Sequence, residues 1–357
     1  YREEIRQVLV DEAARSLTTT LSTNRRMVQS ARERFVAGQR ERAACSEDET
    51  GSGDDATCDV GLVSRNNVPF DVNGSFELNG TTLSTRGEFF EQTGNYEGTK
   101  RRLFFGDFDI QHDADTDSTT ATITARVAWE QMTSDRTMLG YFVGGELARS
   151  TIDGAFEGDQ DRVGLTFGGY AVHQLQDNLF LDGFLTLGAG RNDLEMANDV
   201  LALTSDYTTR TATIGAALSG VYEYEQYEFR PELAFSYGKT WIGNVGFTGR
   251  AYGLVDDTLS LDAGNVSIAN LTLRPEVVWA LDADTVADSN SQFSFAPRLI
   301  CERSIATTRA ENSAGGAEIG LNTRPEDGLS NVEFRVIMDK VVDITRSSFA
   351  LTLGHQF

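Results

Sequence analysis

Residues 228–237 read Glu-Phe-Arg-Pro-Glu-Leu-Ala-Phe-Ser-Tyr, and this stretch decides the fold. Its even positions are Glu228, Arg230, Glu232, Ala234 and Ser236; its odd positions are Phe229, Pro231, Leu233, Phe235 and Tyr237. A strand sends alternate side chains to opposite faces, so one face carries both signs of charge and the other is greasy. The pattern returns three times. Thr272, Arg274 and Glu276 oppose Leu271, Leu273, Val277 and Trp279. Arg298 and Glu302 oppose Phe295, Leu299 and Cys301, and Glu333, Arg335 and Asp339 oppose Val332, Phe334, Val336 and Met338. A soluble sandwich buries its apolar face and exposes small polar residues. Charges lining a lumen and hydrophobes facing lipid account for this sequence directly.

Working outward, alternating segments fill the chain from about Lys100 to its end. They predict twelve strands, near 101–111, 119–132, 136–150, 161–175, 178–192, 206–224, 226–241, 265–281, 291–304, 312–324, 330–342 and 346–357. Their lengths exceed the usual 5–6 residues of globular strands and suit tilted strands crossing a bilayer. Short connections alternate with longer polar ones at Thr151–Gln160, Asn192–Ser205 and Gly243–Gly264, the pattern of short periplasmic turns and long outer loops. An even count puts both barrel ends on one side. The last segment sets Phe349, Leu351 and Leu353 toward lipid and ends on Phe357. Tyr and Trp residues fall toward strand ends, where interfacial girdles belong.

Three segments follow from this: 1–42, 43–100 and a barrel over 101–357. In the first, Ile5, Val8, Leu9, Ala13, Leu17 and Leu21 mark one helical face, continued by Val28, Ala31, Phe35 and Val36. The Thr18-Thr19-Thr20 run and Ser22-Thr23-Asn24 predict a break or a fresh N-cap near Thr23 or Asn24. In the second, Cys45 and Cys58 bracket an acidic loop and are spaced for a local disulfide, which implies an oxidising compartment. That loop is dense in carboxylates but lacks the ligand order of a calcium-binding hand. Residues 60–98 read as short strands, with Asn73-Gly74 and Asn79-Gly80 as turns.

The composition fits. Of 357 residues, 34 are Gly and 5 are Pro, as many tight turns and few irregular linkers require. Mean hydropathy is −0.30, and no run approaches the length of a membrane helix. The net charge of −23 excludes nucleic acid as the main partner. Residues 1–42 nevertheless carry nine Arg against six acids. A basic helix tied to an acidic body points to one docking in the other.

The lumen is therefore expected to be lined by Arg126, Glu146, Glu228, Arg230, Glu232, Arg274, Glu276, Arg298, Glu302, Glu333 and Arg335. Arg25, Arg26, Arg32 and Arg34 of a plug helix would pair with its carboxylates. The alternative is a wall network that packs the lumen by itself, with the helix in solvent. No metal pair, catalytic set or cofactor motif emerges from the three His residues. The nearest candidate, His112 among Asp107, Asp109, Asp113, Asp115 and Asp117, competes with a solvated acidic loop.

The twelve segments, the terminal Phe357 and the Arg-rich stretch Thr23–Phe35 together resemble the C-terminal translocator of an autotransporter, the type V secretion family. Gly74-Ser75-Phe76 to Gly87-Glu88-Phe89-Phe90 resembles the β-rich segment before some of these barrels. The resemblance implies an all-β fold: a twelve-stranded antiparallel transmembrane barrel in the bacterial outer membrane, with an N-terminal helix in its pore. It implies a non-enzymatic protein that exports or displays an N-terminal passenger, with the helix sealing the pore. Its implied partners are outer-membrane lipid including lipopolysaccharide, the barrel-assembly machinery that reads Phe357, and a passenger or surface-layer protein. A porin-like channel, or an anchor for a surface lattice or appendage, is the alternative.

Overall fold

In the computed structural model, residues 1–48, 70–96, 100–115, 117–251, 254–306, 309–325, 329–341 and 344–356 are described. Helix α1 spans Arg2–Asp48. The strands are β1 (Phe70–Asn79), β2 (Thr82–Tyr96), β3 (Lys100–Asp113), β4 (Ser118–Ser134), β5 (Thr137–Ile152), β6 (Glu157–Gln176), β7 (Leu179–Ala197) and β8 (Leu201–Gly220). There follow β9 (Tyr222–Tyr224), β10 (Tyr227–Trp241), β11 (Asn244–Ala251), β12 (Leu254–Asp262) and β13 (Asn265–Ala280). The last are β14 (Ser291–Ile305), β15 (Arg309–Thr323), β16 (Ser330–Val341) and β17 (Ile344–Gln356).

All strands join one antiparallel sheet that closes on itself, because β1 pairs with both β2 and β17. The seam runs from Asp71 opposite Gln356 to Asn79 opposite Ser348. Around the ring β8 is followed by β10 and β10 by β13. The short β9 pairs only the start of β10, and the β11–β12 hairpin extends the edge of β8. The closed wall thus has fourteen strands, not twelve. Each of the twelve segments expected from the sequence forms a wall strand, and residues 70–96 supply the other two.

The physical reason for the shortfall lies in the glycines. The ring of Phe108 lies across Gly87 on the neighbouring strand, and the ring of Phe89 lies across Gly106. An aromatic covering a strand glycine stabilises a position that has no side chain of its own to pack. Asn73-Gly74, expected as a turn, is also mid-strand, opposite Gly354 and Leu353 at the seam. Asn79-Gly80 is a turn, with Gly80 at φ 60°.

One rim holds the start of β1 and the end of β17; we call it the terminal rim. Outward positions between the rims are Val72, Phe76, Ile123, Leu147, Leu165, Phe167, Leu185 and Phe235, all exposed. Near the terminal rim Trp129 stacks on Tyr141 at 5.3 Å, Tyr224 on Tyr227 at 4.7 Å, and Trp279 lies 5.7 Å from Phe293. An apolar band edged by an aromatic girdle is what a lipid-facing barrel requires. Tyr170 is a correction to the girdle, since it points inward and is buried. Toward the opposite rim the outward face of β5–β8 turns charged: Arg149 pairs Asp159 at 2.9 Å, and Arg191 pairs Asp206. The long outer loops expected at 151–160, 192–205 and 243–264 are therefore largely strand. Polar sequence there marks a wall rising above the lipid, not irregular loop.

No described helix is long and apolar enough to cross a membrane; α1 instead runs inside the barrel. The ring of Tyr1 lies 6.3 Å from Phe156 at the opposite rim, and Gln39 donates to the Asp135 carbonyl at the terminal rim. The break expected near Thr23 does not occur. Thr18 and Thr20 turn their hydroxyls back to the carbonyls of Ala14 and Ser16, each at 2.9 Å, and Asn24 is taken up by the wall. These local bonds let polar residues stay in the helix.

One apolar stripe of α1 packs along its length. Ile5, Leu9, Ala13, Leu17 and Leu21 meet Phe156, Leu194, Ile242, Val245, Phe247 and Leu261. Val28, Ala31 and Phe35 meet Leu103, Met138, Phe142, Val172 and Phe180. Each large side chain buried this way contributes about 1.5–3 kcal/mol relative to a wetted pore.

Candidate functional site

The site is the contact between α1 and the inner wall. Arg25 and Arg32 stand two helical turns apart and so share a face. Both reach the same two carboxylates. Arg25 lies 2.9 Å from Asp182 and 3.1 Å from Glu232, and Arg32 lies 2.9 Å from each. The Asp182 side chain is wholly buried. Asp182 and Glu232 take inward positions on β7 and β10, so two wall strands and two turns of helix are fastened by one four-charge cluster.

The remaining helix arginines go to other strands. Arg26 pairs Glu88 of β2 at 2.8 Å and Asp107 of β3 at 3.1 Å. Arg34 pairs Glu130 of β4 at 2.7 Å, with its guanidinium 4.9 Å from the centre of the Phe90 ring. Glu130 is buried and also accepts from Arg101 and, at 2.7 Å, from the Tyr170 hydroxyl. A buried carboxylate with three donors is the arrangement that makes such charges tolerable.

Between these clusters Asn24 is fully buried. Its amide donates to the Thr213 and Thr186 hydroxyls at 2.9 and 3.1 Å, and its carbonyl accepts from Arg126 at 2.7 Å. Higher up, Ser150 donates to Glu12 at 2.6 Å and Arg162 donates to Ser16.

All four expected helix arginines face the wall. Among the expected wall acids only Glu232 meets one of them. Glu146 pairs Arg162 at 3.2 Å, and Arg230 donates to Glu228 at 2.8 Å. Arg274 lies 2.8 Å from Glu276 and 2.6 Å from Glu318. Glu318 also lies 2.9 Å from Arg335 and 3.6 Å from Arg298, and Arg335 pairs Glu333. Glu302 stands exposed farther up β14. Asp182, Glu130, Glu88 and Glu318, which do much of the pairing, were not singled out from the sequence, and Asp107 was named only in the set around His112. Strand parity alone could have found Asp182, whose neighbours Leu181 and Leu185 face outward.

His112 bonds Thr119 at 3.0 Å and lies 3.9 Å from Asp117 at the opposite rim. Among the described residues no group of three or more His, Cys, Asp or Glu is arranged to hold a metal ion. Cys301 is an exposed free thiol. Cys58 and Phe357 lie outside the described residues, and with them the expected Cys45–Cys58 disulfide and the assembly signal. At the terminal rim, in the turn after β13, the Ser289 hydroxyl and Ser291 amide hold the Asp282 carboxyl below the usual carboxylate range.

These features define a closed antiparallel barrel of the outer-membrane kind, with a helix of its own chain lodged in the pore. A family model described as the autotransporter beta-domain matches residues 111–330. The chain belongs to that family, whose barrels act as outer-membrane translocators. Among solved structures, the beta domain of the Bordetella autotransporter BrkA is 16% identical, with 82% of this chain and 100% of that one covered at a TM-score of 0.45. The translocator domain of NalP from Neisseria meningitidis is 13% identical, covering 82% and 90%, also at 0.45. The toluene transporter TodX of Pseudomonas putida is 9% identical over 82% and 90%, at 0.45. No curated protein matches the chain.

Proposed function

We propose that this barrel exports and then anchors an N-terminal passenger, with α1 as the last part of the exported chain, retained in the pore. The observation that carries the reading is the direction of the helix. Its N-terminal end reaches the rim opposite both barrel ends, where Arg6 donates to the Asp262 carbonyl at 3.0 Å. If β1 and β17 end in the periplasm, chain attached ahead of Tyr1 is displayed outside. The Arg25, Arg26, Arg32 and Arg34 contacts then hold that chain against withdrawal and close the pore to large solutes. The outward apolar band would contact outer-membrane lipid and lipopolysaccharide, and Phe357 would present the assembly signal to the barrel-assembly machinery.

An epitope placed ahead of Tyr1 tests this on intact cells. Antibody binding and protease removal from outside are the expected result. An epitope reached only after the outer membrane is opened would overturn the reading.

A further inference from the structure

The helix does not fill the barrel. With strands about 4.8 Å apart and tilted about 40°, a fourteen-strand wall is about 28 Å across, against about 24 Å for twelve. Inward side chains occupy about 5 Å on each side. A helix 10–12 Å thick nearly fills the bore of about 14 Å that twelve strands leave. The two strands β1 and β2 raise that bore to about 18 Å, leaving a crescent about 6–8 Å wide.

The side-chain environment shows where that space lies. The helix backbone packs on β6, β7, β8, β10, β12 and β13. The face turned away from them is exposed at Gln7 and Asp11 near the opposite rim, and again at Arg15, Thr18 and Glu33 further along the helix. Glu33 is exposed although its neighbours Arg32 and Arg34 are tied into the wall at the same depth. Beside it, a cavity of about 240 Å³ lies between the helix and β1–β4, lined by Ser30, Glu33, Asp71 and Asn73 among others. On the β14–β16 wall, Asn312 and Glu302 are exposed, and the Arg335 and Glu333 side chains keep 33% and 25% of their accessibility.

We infer that an aqueous passage runs through the intact protein between the wet face of α1 and the β14–β17–β1 wall, and that it conducts small inorganic cations. The sign follows from the lining. Arg274 and Glu276 of β13 offset one another, while β14–β16 carry Glu302, Glu318, Glu333 and Asp339 against Arg298 and Arg335. Glu33 and Asp71 add to the acidic side. An acidic, low-dielectric channel concentrates cations and excludes anions. The inference stands on the seat of the helix and not on export.

Planar-bilayer recordings of the intact chain in a KCl gradient test it. We expect a small steady conductance with a reversal potential on the cation-selective side. Thr18→Trp should lower the conductance several-fold with selectivity kept, and Glu33→Lys should cut the cation preference several-fold; migration on unheated gels verifies that each variant is folded. A silent intact protein, an anion preference, or currents that ignore both substitutions would each overturn the passage. Display of an epitope ahead of Tyr1 is a separate readout, so either reading can fail alone.

Discussion

The β6–β13 side of the barrel and the β14–β17 side are built from the same alternating strands, yet they treat the helix differently. The first is tall and puts apolar side chains inward above the lipid band, where Leu194, Leu203 and Val245 are buried against Leu9 and Leu17. The second is low, with β16 and β17 of 12 and 13 residues against 20 for β6 and β8. Its inward charges pair largely with one another. Asp182 on the gripping side has no exposed side-chain surface, while Arg335 on the open side keeps 33%. A charge that faces the helix is paired with it; on the open side the pairing stays within the wall, with Glu318 buried among three arginines and Arg335 partly wet. The difference is one of what each sector faces, and it turns a uniform cylinder into a seat and a passage.

The largest effect should come from emptying the four-charge cluster. Arg25→Ala with Arg32→Ala leaves Asp182 and Glu232 without their cations, and removing the partners of buried charge costs about 3–5 kcal/mol. Thermal unfolding should fall clearly, and bilayer currents should show large, erratic openings as the helix leaves its seat. Arg335→Ala, on the open side, should leave both the melting curve and the helix in place. Equal losses for the two would erase the distinction between the sectors.

A smaller effect is expected at Gly238 of β10. A Cβ there would lie 2.6 Å from Leu17 and 3.3 Å from Leu21, so Gly238→Val overpacks the gripping side. The expected cost is about 1–3 kcal/mol. A neutral result would mean that the helix backs away from β10 easily, and the seat would then be looser than described.

Much of this was legible in the sequence. The twelve wall strands from 101 to 357 showed themselves through period two, and the stripe Ile5–Leu9–Ala13–Leu17–Leu21 showed the packed face of the helix. The first two wall strands showed themselves only as short strands ahead of the barrel. Gly74 and Gly87 interrupt their apolar faces, and the aromatic cover over Gly87 comes from Phe108 of β3, twenty-one residues on. Strand parity could say which charges turn inward, but not which meet the helix. That depends on which side of the bore the helix takes, set by apolar packing against β6–β13. Asp182 and Glu318 have the same parity signal and opposite fates for this reason.

Thiol accessibility around the helix tests the asymmetry most directly. With Cys45, Cys58 and Cys301 replaced by Ser, single substitutions Leu17→Cys, Thr18→Cys, Ala31→Cys and Glu33→Cys can be exposed to a charged, membrane-impermeant thiol reagent in intact barrels. Thr18→Cys and Glu33→Cys should react rapidly, and Leu17→Cys and Ala31→Cys should be protected. Similar fast reaction at all four positions would place the helix outside the barrel, and similar protection at all four would mean a pore with no wet side.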